Sequence, residues 1–414
     1  METHLADWLK GTPDGDTAEA ILRKCVHCGF CTATCPTYQL LGDELDGPRG
    51  RIYLMKQVLE GVEPTHATLT HLDRCLTCRN CETTCPSGVE YGHLVDIGRG
   101  IVESKVRRPL SERLQRKALA ETLTRPRLFK AAMRVGQALR PLVPGALRDK
   151  VPLARPAGRW PTRTHARKAI LLKGCVQPAM LPSIDAATAR VLDAVGVQSL
   201  VVQRSGCCGA IRYHLNDHQG GLDDMRRNID AWWPLLSDPA SGVEAIVVNA
   251  SGCGAQIKDY GHLLRDDPAY AERAARISAL AKDPVEFLLP QLEALQALVR
   301  RPATGDAPRA AFHPPCTLQH GQKVRGDTER LLAGLGVELS PVMDAHLCCG
   351  SAGTYSVTQP VMAKQLRERK LANLQAGQPE AILSSNVGCI THLQAGTATP
   401  VRHWVEWLDT AIAA

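Results

Sequence analysis

Apolar positions follow two rules along this chain, and the change from one to the other marks its organisation. In the first third they recur at helical spacing: Ile52, Met55 and Val58 or Leu59 follow Pro48-Arg49-Gly50, which predicts a helix leaving that turn. Thr17 to Lys24 reads as a short helix with Asp16 as N-cap and Glu19 three residues on. Leu110 to Leu123 and Arg127 to Val143 read as two more, the second with Phe129, Met133, Gly136 and Leu139 on one face. From residue 169 the apolar residues come in short uninterrupted runs. Ala169-Ile170-Leu171-Leu172, Ser199 to Val202 and Ala245 to Asn249 read as buried strands, with Ser183 to Val195 as a helix after the first. Ala310-Ala311-Phe312, Val337 to Leu339 and Ala381 to Ser385 repeat the series. Val285-Glu286-Phe287-Leu288 and Val405-Glu406-Trp407-Leu408 start similar closing helices. Strand, helix, strand in that order predicts parallel crossover units, present twice.

Composition narrows the class. With 44% of 414 residues hydrophobic, the chain can build two or three cores and is not a disordered or fibrous protein. No run approaches the roughly 20 apolar residues that span a bilayer; the longest candidate, Val285 to Val299, is broken by Pro290 and Glu293. Met1 to Lys24 carries Asp7, Asp14, Asp16 and Glu19 and lacks the apolar core of a signal peptide, so a cytoplasmic location is expected. In a reducing compartment, sixteen cysteines predict metal ligands or redox groups rather than disulfides.

Their spacing divides them in two. Cys25, Cys28, Cys31 and Cys35-Pro36 are repeated fifty positions on as Cys75, Cys78, Cys81 and Cys85-Pro86. Three cysteines at such short intervals direct three thiolates to three corners of one cubane, and the same loop cannot reach the fourth. The run is that of bacterial two-cluster ferredoxins, in which the fourth cysteine ligates the other cluster. It predicts one [4Fe-4S] cluster on Cys25, Cys28, Cys31 and Cys85, and a second on Cys75, Cys78, Cys81 and Cys35. Zinc is the alternative, but it more often uses two separated C-x₂-C pairs. Thirty-nine residues between Cys35 and Cys75 exceed a compact strand-rich ferredoxin and predict a helical ferredoxin domain over residues 1–103. His27, Arg49, Arg51, Arg79 and His93 lie near these ligands in sequence; they either tune the clusters by charge and hydrogen bonds or are ordinary surface and packing.

Charge isolates the next segment. Residues 104–168 hold eighteen Lys and Arg against Glu112, Glu121 and Asp149, a charge of +15 that leaves −8 for the rest of a chain totalling +7. Its two helices suit an anionic lipid surface or an acidic partner, or they pack on their own protein with a solvated basic rim. Nucleic acid is not expected, because no binding motif and no interleaved aromatics accompany the charge.

The last eight cysteines form two copies of another pattern, Cys175, Cys207-Cys208-Gly209 and Cys253, then Cys316, Cys348-Cys349-Gly350 and Cys389. Domains over 169–300 and 309–414 follow, with the cysteines at the C-terminal ends of strands, where open α/β sheets place ligands. Gly206, Gly209 and Gly350 allow close backbone approach there. The fold class expected is α+β multidomain: a helical two-cluster ferredoxin domain, a basic mainly helical linker over 104–168, and two tandem α/β cysteine-rich domains with parallel strands.

The double-cysteine pattern resembles the cysteine-rich domain of heterodisulfide reductase subunits, of the small anaerobic glycerol-3-phosphate dehydrogenase subunit and of lactate-utilisation proteins. Cys25-Val26-His27-Cys28-Gly29-Phe30-Cys31, Asp46-Gly47-Pro48-Arg49-Gly50-Arg51 and Cys348-Cys349-Gly350-Ser351-Ala352-Gly353-Thr354-Tyr355 extend the resemblance, over essentially the whole chain, to the iron-sulfur subunits of bacterial glycolate oxidases. One departure is clear. The heterodisulfide reductases end on C-x₂-C, whereas Gln256 and His392 occupy the partner positions after Cys253 and Cys389. Four thiols per copy suffice for one further cubane, or three with His392 for another metal, against buried structural thiols.

No G-x-G-x-x-G follows a strand, so neither flavin nor NAD is expected on this chain. Oxidising a hydroxy acid releases two electrons together while a cubane takes one, so a flavoprotein partner containing FAD is implied. The resemblance implies that glycolate is oxidised to glyoxylate there, and that this chain passes electrons to a quinone or other membrane acceptor from the cytoplasmic face. Subunits for lactate or glycerol-3-phosphate, or a thiol enzyme acting through Cys207-Cys208 or Cys348-Cys349, are the alternatives.

Overall fold

The computed structural model describes residues 1–142, 145–300 and 308–413. Val143, to which the second basic helix was extended, and Ala414, the end given to the last domain, lie outside the described residues.

The N-terminal part is helical. Its first long helix is Pro13–Lys24, one turn longer than expected: Thr12, not Asp16, is the N-cap, its Oγ1 accepting from Gly15 N at 3.0 Å, and Pro13 fixes the first turn. Pro48–Leu59 turns Ile52, Met55, Val58 and Leu59 inward against Tyr91–Lys105. The two helices meet at Gly98, where a Cβ would stand 2.5 Å from Met55 Sδ, so a larger residue there would have to displace the methionine side chain.

The basic helices are Leu110–Leu123 and Pro126–Ala138. The second stops short of Val143 and passes into a tight turn at Arg140–Leu142. Of its expected apolar face, Phe129 and Met133 are buried, but Leu139 caps the helix end and is half exposed. The +15 is also partly internal. Arg108, 2% exposed at its side chain, is clamped by Asp73 and Glu103, and Arg116 shares Asp73. Arg107, Arg113, Lys117, Arg127, Lys130 and Arg134 remain exposed.

Two four-stranded sheets follow, each wholly parallel. β1 (Arg167–Leu171), β2 (Val197–Leu200), β3 (Val243–Val247) and β4 (Ala281–Lys282) lie in the order β2-β1-β3-β4. β5 (Arg309–His313), β6 (Glu338–Leu339), β7 (Ala381–Ser384) and β8 (Val401–His403) repeat it as β6-β5-β7-β8. The second strand sits two residues earlier than expected, because Gly196 at φ 76° ends Ser183–Ala194 abruptly and Val197 starts pairing at once. The edge strands β4 and β8 were not foreseen; two or three residues carry no readable alternation.

The two sheets share one core. Ala169, Leu171 and Val247 belong to the same buried cluster as Ala310, Phe312 and Leu383. Helices are exchanged across it: Ser183–Ala194 packs on Trp404–Ala413, and Pro284–Leu288 on Asp327–Gly334. Arg190 fixes the first exchange through two bonds to Asp409, at 2.8 and 2.6 Å.

Candidate metal centres

Each ferredoxin-type loop is shaped by a pair of left-handed residues at equivalent places. His27 and Gly29 have φ 56° and 85°, and Thr77 and Arg79, fifty positions on, have 52° and 60°. Side-chain-bearing residues avoid this region, so His27, Thr77 and Arg79 are strained positions. The turn it produces curls the chain around its cysteines; Thr77 N donates to Cys75 Sγ at 3.4 Å. Gly29 serves a second purpose, since a Cβ there would meet the Arg49 guanidinium at 2.8 Å.

The thiols converge in two cavities, and each draws on both loops. Cys25, Cys28 and Cys31 line the first together with Cys85. Cys75, Cys78 and Cys81 line the second together with Cys35. Cys81, Tyr91 and Pro48 border both, so the cavities are immediate neighbours. All sixteen cysteines are unpaired thiols. Burial, then the neighbouring Cys25 and Cys28, pushes the Cys31 thiol up to about 11, and burial drives Cys78 and Cys81 up as well. Sulfurs that oppose one another's ionisation in this way form a donor set that a bound cation relieves, which fits a thiolate-ligated cluster.

Cations surround the second cavity. Arg51 is buried and donates to His71 O at 2.7 Å and Thr37 Oγ1 at 3.1 Å; Asp46, wholly buried, faces it at 3.4 Å and also holds Arg74 and His71. Arg99 donates to Leu72 O, Cys75 O and Thr77 Oγ1. Although burial opposes it, Arg51 and Arg99 hold the Cys75 thiol below its ordinary value. Of the basic residues singled out in the sequence, Arg51, Arg79 and His93 are thus built into the structure, and His27 and Arg49 line the first cavity. Arg99 was missed: it lies in the middle of a helix, and nothing in its neighbours' spacing distinguishes it.

The eight remaining cysteines lie, as the strand order requires, beyond the C-terminal ends of β1, β3, β5 and β7 or on the loops before the long helices. In the first copy Cys175, Cys207, Cys208 and Cys253 neighbour one another in that order, and Asp224 lies beside Cys175 and Cys207. In the second, Cys316, Cys348, Cys349 and Cys389 do the same, with the buried Lys370 beside the first three. At Gly209 and Gly350, with φ 92° and 87°, a Cβ would stand 2.6 and 2.5 Å from Gly221 O and Ala363 O, so glycine allows the close backbone approach there. His392, the imidazole singled out in the sequence, bonds through Nε2 to Ala363 O at 3.1 Å, while its buried Nδ1 has no partner; it does not fall within the closest donor cluster. Instead one ring nitrogen of His313 and the sulfurs of Cys349 and Cys389 lie within 4.8 Å of one another. Its place, at the end of β5 and three residues before Cys316, fits the strand-end rule used for the cysteines.

The second ferredoxin loop docks between the two copies. Leu76 and Cys78 pack with Cys316, Cys348 and Tyr355, whose hydroxyl donates to Arg74 O at 3.1 Å. Thr83 Oγ1 bonds to His320 and accepts from Arg325, while Arg79 reaches Asp259 of the first copy.

Family comparisons agree with this layout. A 4Fe-4S dicluster domain model matches residues 21–89, and a cysteine-rich domain model matches residues 169–258 and 310–394. The glycolate oxidase iron-sulfur subunit of Escherichia coli (strain K12) is 53% identical over 416 residues, covering 100% of this chain and 99% of that protein. The probable glycolate oxidase iron-sulfur subunit of Bacillus subtilis (strain 168) is 29% identical, covering 91% and 89%. Lactate utilization protein A of Geobacillus thermodenitrificans (strain NG80-2) is 25% identical, covering 58% of this chain and 98% of its own. With two adjoining cysteine-lined cavities, two cysteine-rich copies and a full-length relative at 53% identity, this chain belongs to the family of glycolate oxidase iron-sulfur subunits.

Proposed function

We propose that the chain is the electron-transfer subunit of a complex in which a partner containing FAD oxidises glycolate to glyoxylate. The observation that carries this reading is the shared wall of the two cavities: Cys81 and Tyr91 border both, so groups held in them sit side by side. Cys25, Cys28, Cys31 and Cys85 would hold one [4Fe-4S] cluster, and Cys75, Cys78, Cys81 and Cys35 the other. When bound, each supplies one-electron storage. Oxidation of glycolate gives two electrons and two protons; the flavin takes the pair, and the chain receives the electrons singly. The charges of Arg51 and Arg99 beside the second set favour its more reduced form.

The acceptor we assign is a quinone at the cytoplasmic face of the membrane, reached by docking rather than by spanning. No helix among the described residues is long and apolar enough to cross a membrane. The exposed basic rim of residues 104–168, with Leu110, Leu128 and Val135 open among its charges, suits an anionic lipid surface. A thiol-disulfide enzyme is disfavoured, because Cys207, Cys208, Cys348 and Cys349 are all 6% exposed or less and cannot meet a disulfide substrate.

Deleting this chain should abolish glycolate-dependent dye or quinone reduction in extracts, and adding it back should restore the activity. Unchanged reduction in the deletion strain would sink the proposal.

A further inference from the structure

We propose that the second cysteine-rich copy holds one mononuclear zinc-class ion on His313, Cys349 and Cys389. Tetrahedral zinc binds sulfur and nitrogen at about 2.0–2.3 Å, which places its ligand atoms about 3.3–3.8 Å apart. The three donor atoms here, all on buried residues, already lie within 4.8 Å of one another, closer than the corners of a cubane would hold them.

The state of His313 is a separate observation. Its Nδ1 is hydrogen-bonded to Ser384 Oγ at 2.9 Å, across the β5–β7 register that pairs the two residues. The other nitrogen, Nε2, is buried without any partner, on a residue 0% exposed. Buried polar atoms are almost always satisfied, and an imidazole whose one N–H is oriented by a hydroxyl, leaving the other nitrogen's lone pair free, is the form in which histidine ligates metal.

The first copy serves as an internal control. Three residues before its Cys175 stands Leu172, where the second copy has His313 before Cys316. Charge differs in the same sense: the carboxylate of Asp224 lies beside the first thiol set, and the ammonium of Lys370 beside the second. Gly350 N also donates to Cys348 Sγ at 3.4 Å, and Cys348, beside Cys349, offers a thiol for a fourth position. The ion would carry no electron; it would fix the wall of Cys316 and Cys348 against Leu76 and Cys78.

The test is the metal and sulfide content of the full chain, purified without oxygen. The wild type should carry about one zinc per chain besides its iron. His313→Leu, which copies the first domain's residue, should lower zinc about tenfold with iron and sulfide unchanged. Cys389→Ser should do the same, which guards against a folding defect peculiar to the histidine variant. Cobalt supplied in place of zinc should show thiolate charge-transfer and tetrahedral ligand-field bands that both variants lose. A wild type without zinc or cobalt, zinc indifferent to both variants, or extra iron with sulfide at this site would each overturn the proposal. The ferredoxin-type reading stands or falls separately, on the iron that these variants leave in place.

Discussion

Arg79 Nη1 donates to Asp259 Oδ2 at 2.8 Å, joining the second cysteine loop to the first cysteine-rich copy 180 residues away. Burial disfavours the Asp259 carboxylate, but His93 and Arg79 outweigh it and hold the group down at about 2. A folded value below the unfolded one of about 4 means the pair stabilises fully above pH ~4 and loses its contribution as pH falls toward ~2. Asp259→Asn should cost about 2 kcal/mol near neutral pH. Denaturant unfolding should show that loss shrinking steadily as the buffer is acidified; a constant loss would argue against an ionic origin.

The crossed arrangement of cysteines predicts which variants act alike. Cys28→Ser and Cys85→Ser should each lower iron from about eight to about four per chain, and the double variant should lose no more. Cys35→Ser should spare that half and remove the other, as followed by iron analysis and electron paramagnetic resonance. If Cys28→Ser with Cys85→Ser removed all iron, the pairing across loops would be wrong.

Arg51 supplies a positive charge beside Cys35 and Cys75. Asp46 keeps Arg74 and His71 when Arg51 is removed, so Arg51→Met should leave a folded chain. A redox titration should find one of two potentials lowered, on the order of tens of millivolts, and the other unmoved.

Burial holds the Asp185 carboxyl up at about 7, though Gln177 and Asn249 donate to it. Here the sign reverses. The folded state keeps a proton that the unfolded state releases near pH 4, so stability falls as pH rises from about 4 to about 7 and is level above. Asp185→Asn should gain about 2–4 kcal/mol at pH 8 and progressively less toward pH 5. Parallel unfolding curves at the two pH values check this.

Sedimentation with vesicles tests the basic rim. The triple variant Arg127→Gln, Lys130→Gln, Arg134→Gln should weaken binding to phosphatidylserine vesicles by about 3 kcal/mol in dilute salt. Binding to neutral vesicles should stay weak throughout. Equal binding of wild type and variant would remove residues 104–168 from the docking surface.

Much of this architecture was legible because it is repeated. The two cysteine spacings and two series of apolar runs are local patterns, and local patterns predict local elements: Leu110–Leu123 emerged at its expected bounds, and β1, β5 and β7 within two residues of theirs. What escaped was set by distant partners. Arg99 acquires its role by reaching the backbone of Leu72 and Cys75, and His313 by meeting Cys349 and Cys389 across the sheet. His392 was the imidazole visible in the motif, yet its helix turns it toward Ala363. Boundaries moved where a single cap decided them, as Thr12 and Gly196 did.

The exchanged helices have a consequence for how the α/β half can exist at all. Each sheet leaves one flank to be covered by a helix from the other, as the two members of an obligate dimer would, but here they are tethered. Tethering makes their association independent of protein concentration, and polar contacts such as Arg190 with Asp409 and His403 Nε2 with Asn249 O add to the shared apolar core at the seam. Neither copy expressed alone would keep its core covered, whereas two fragments cut between them and mixed should find each other again.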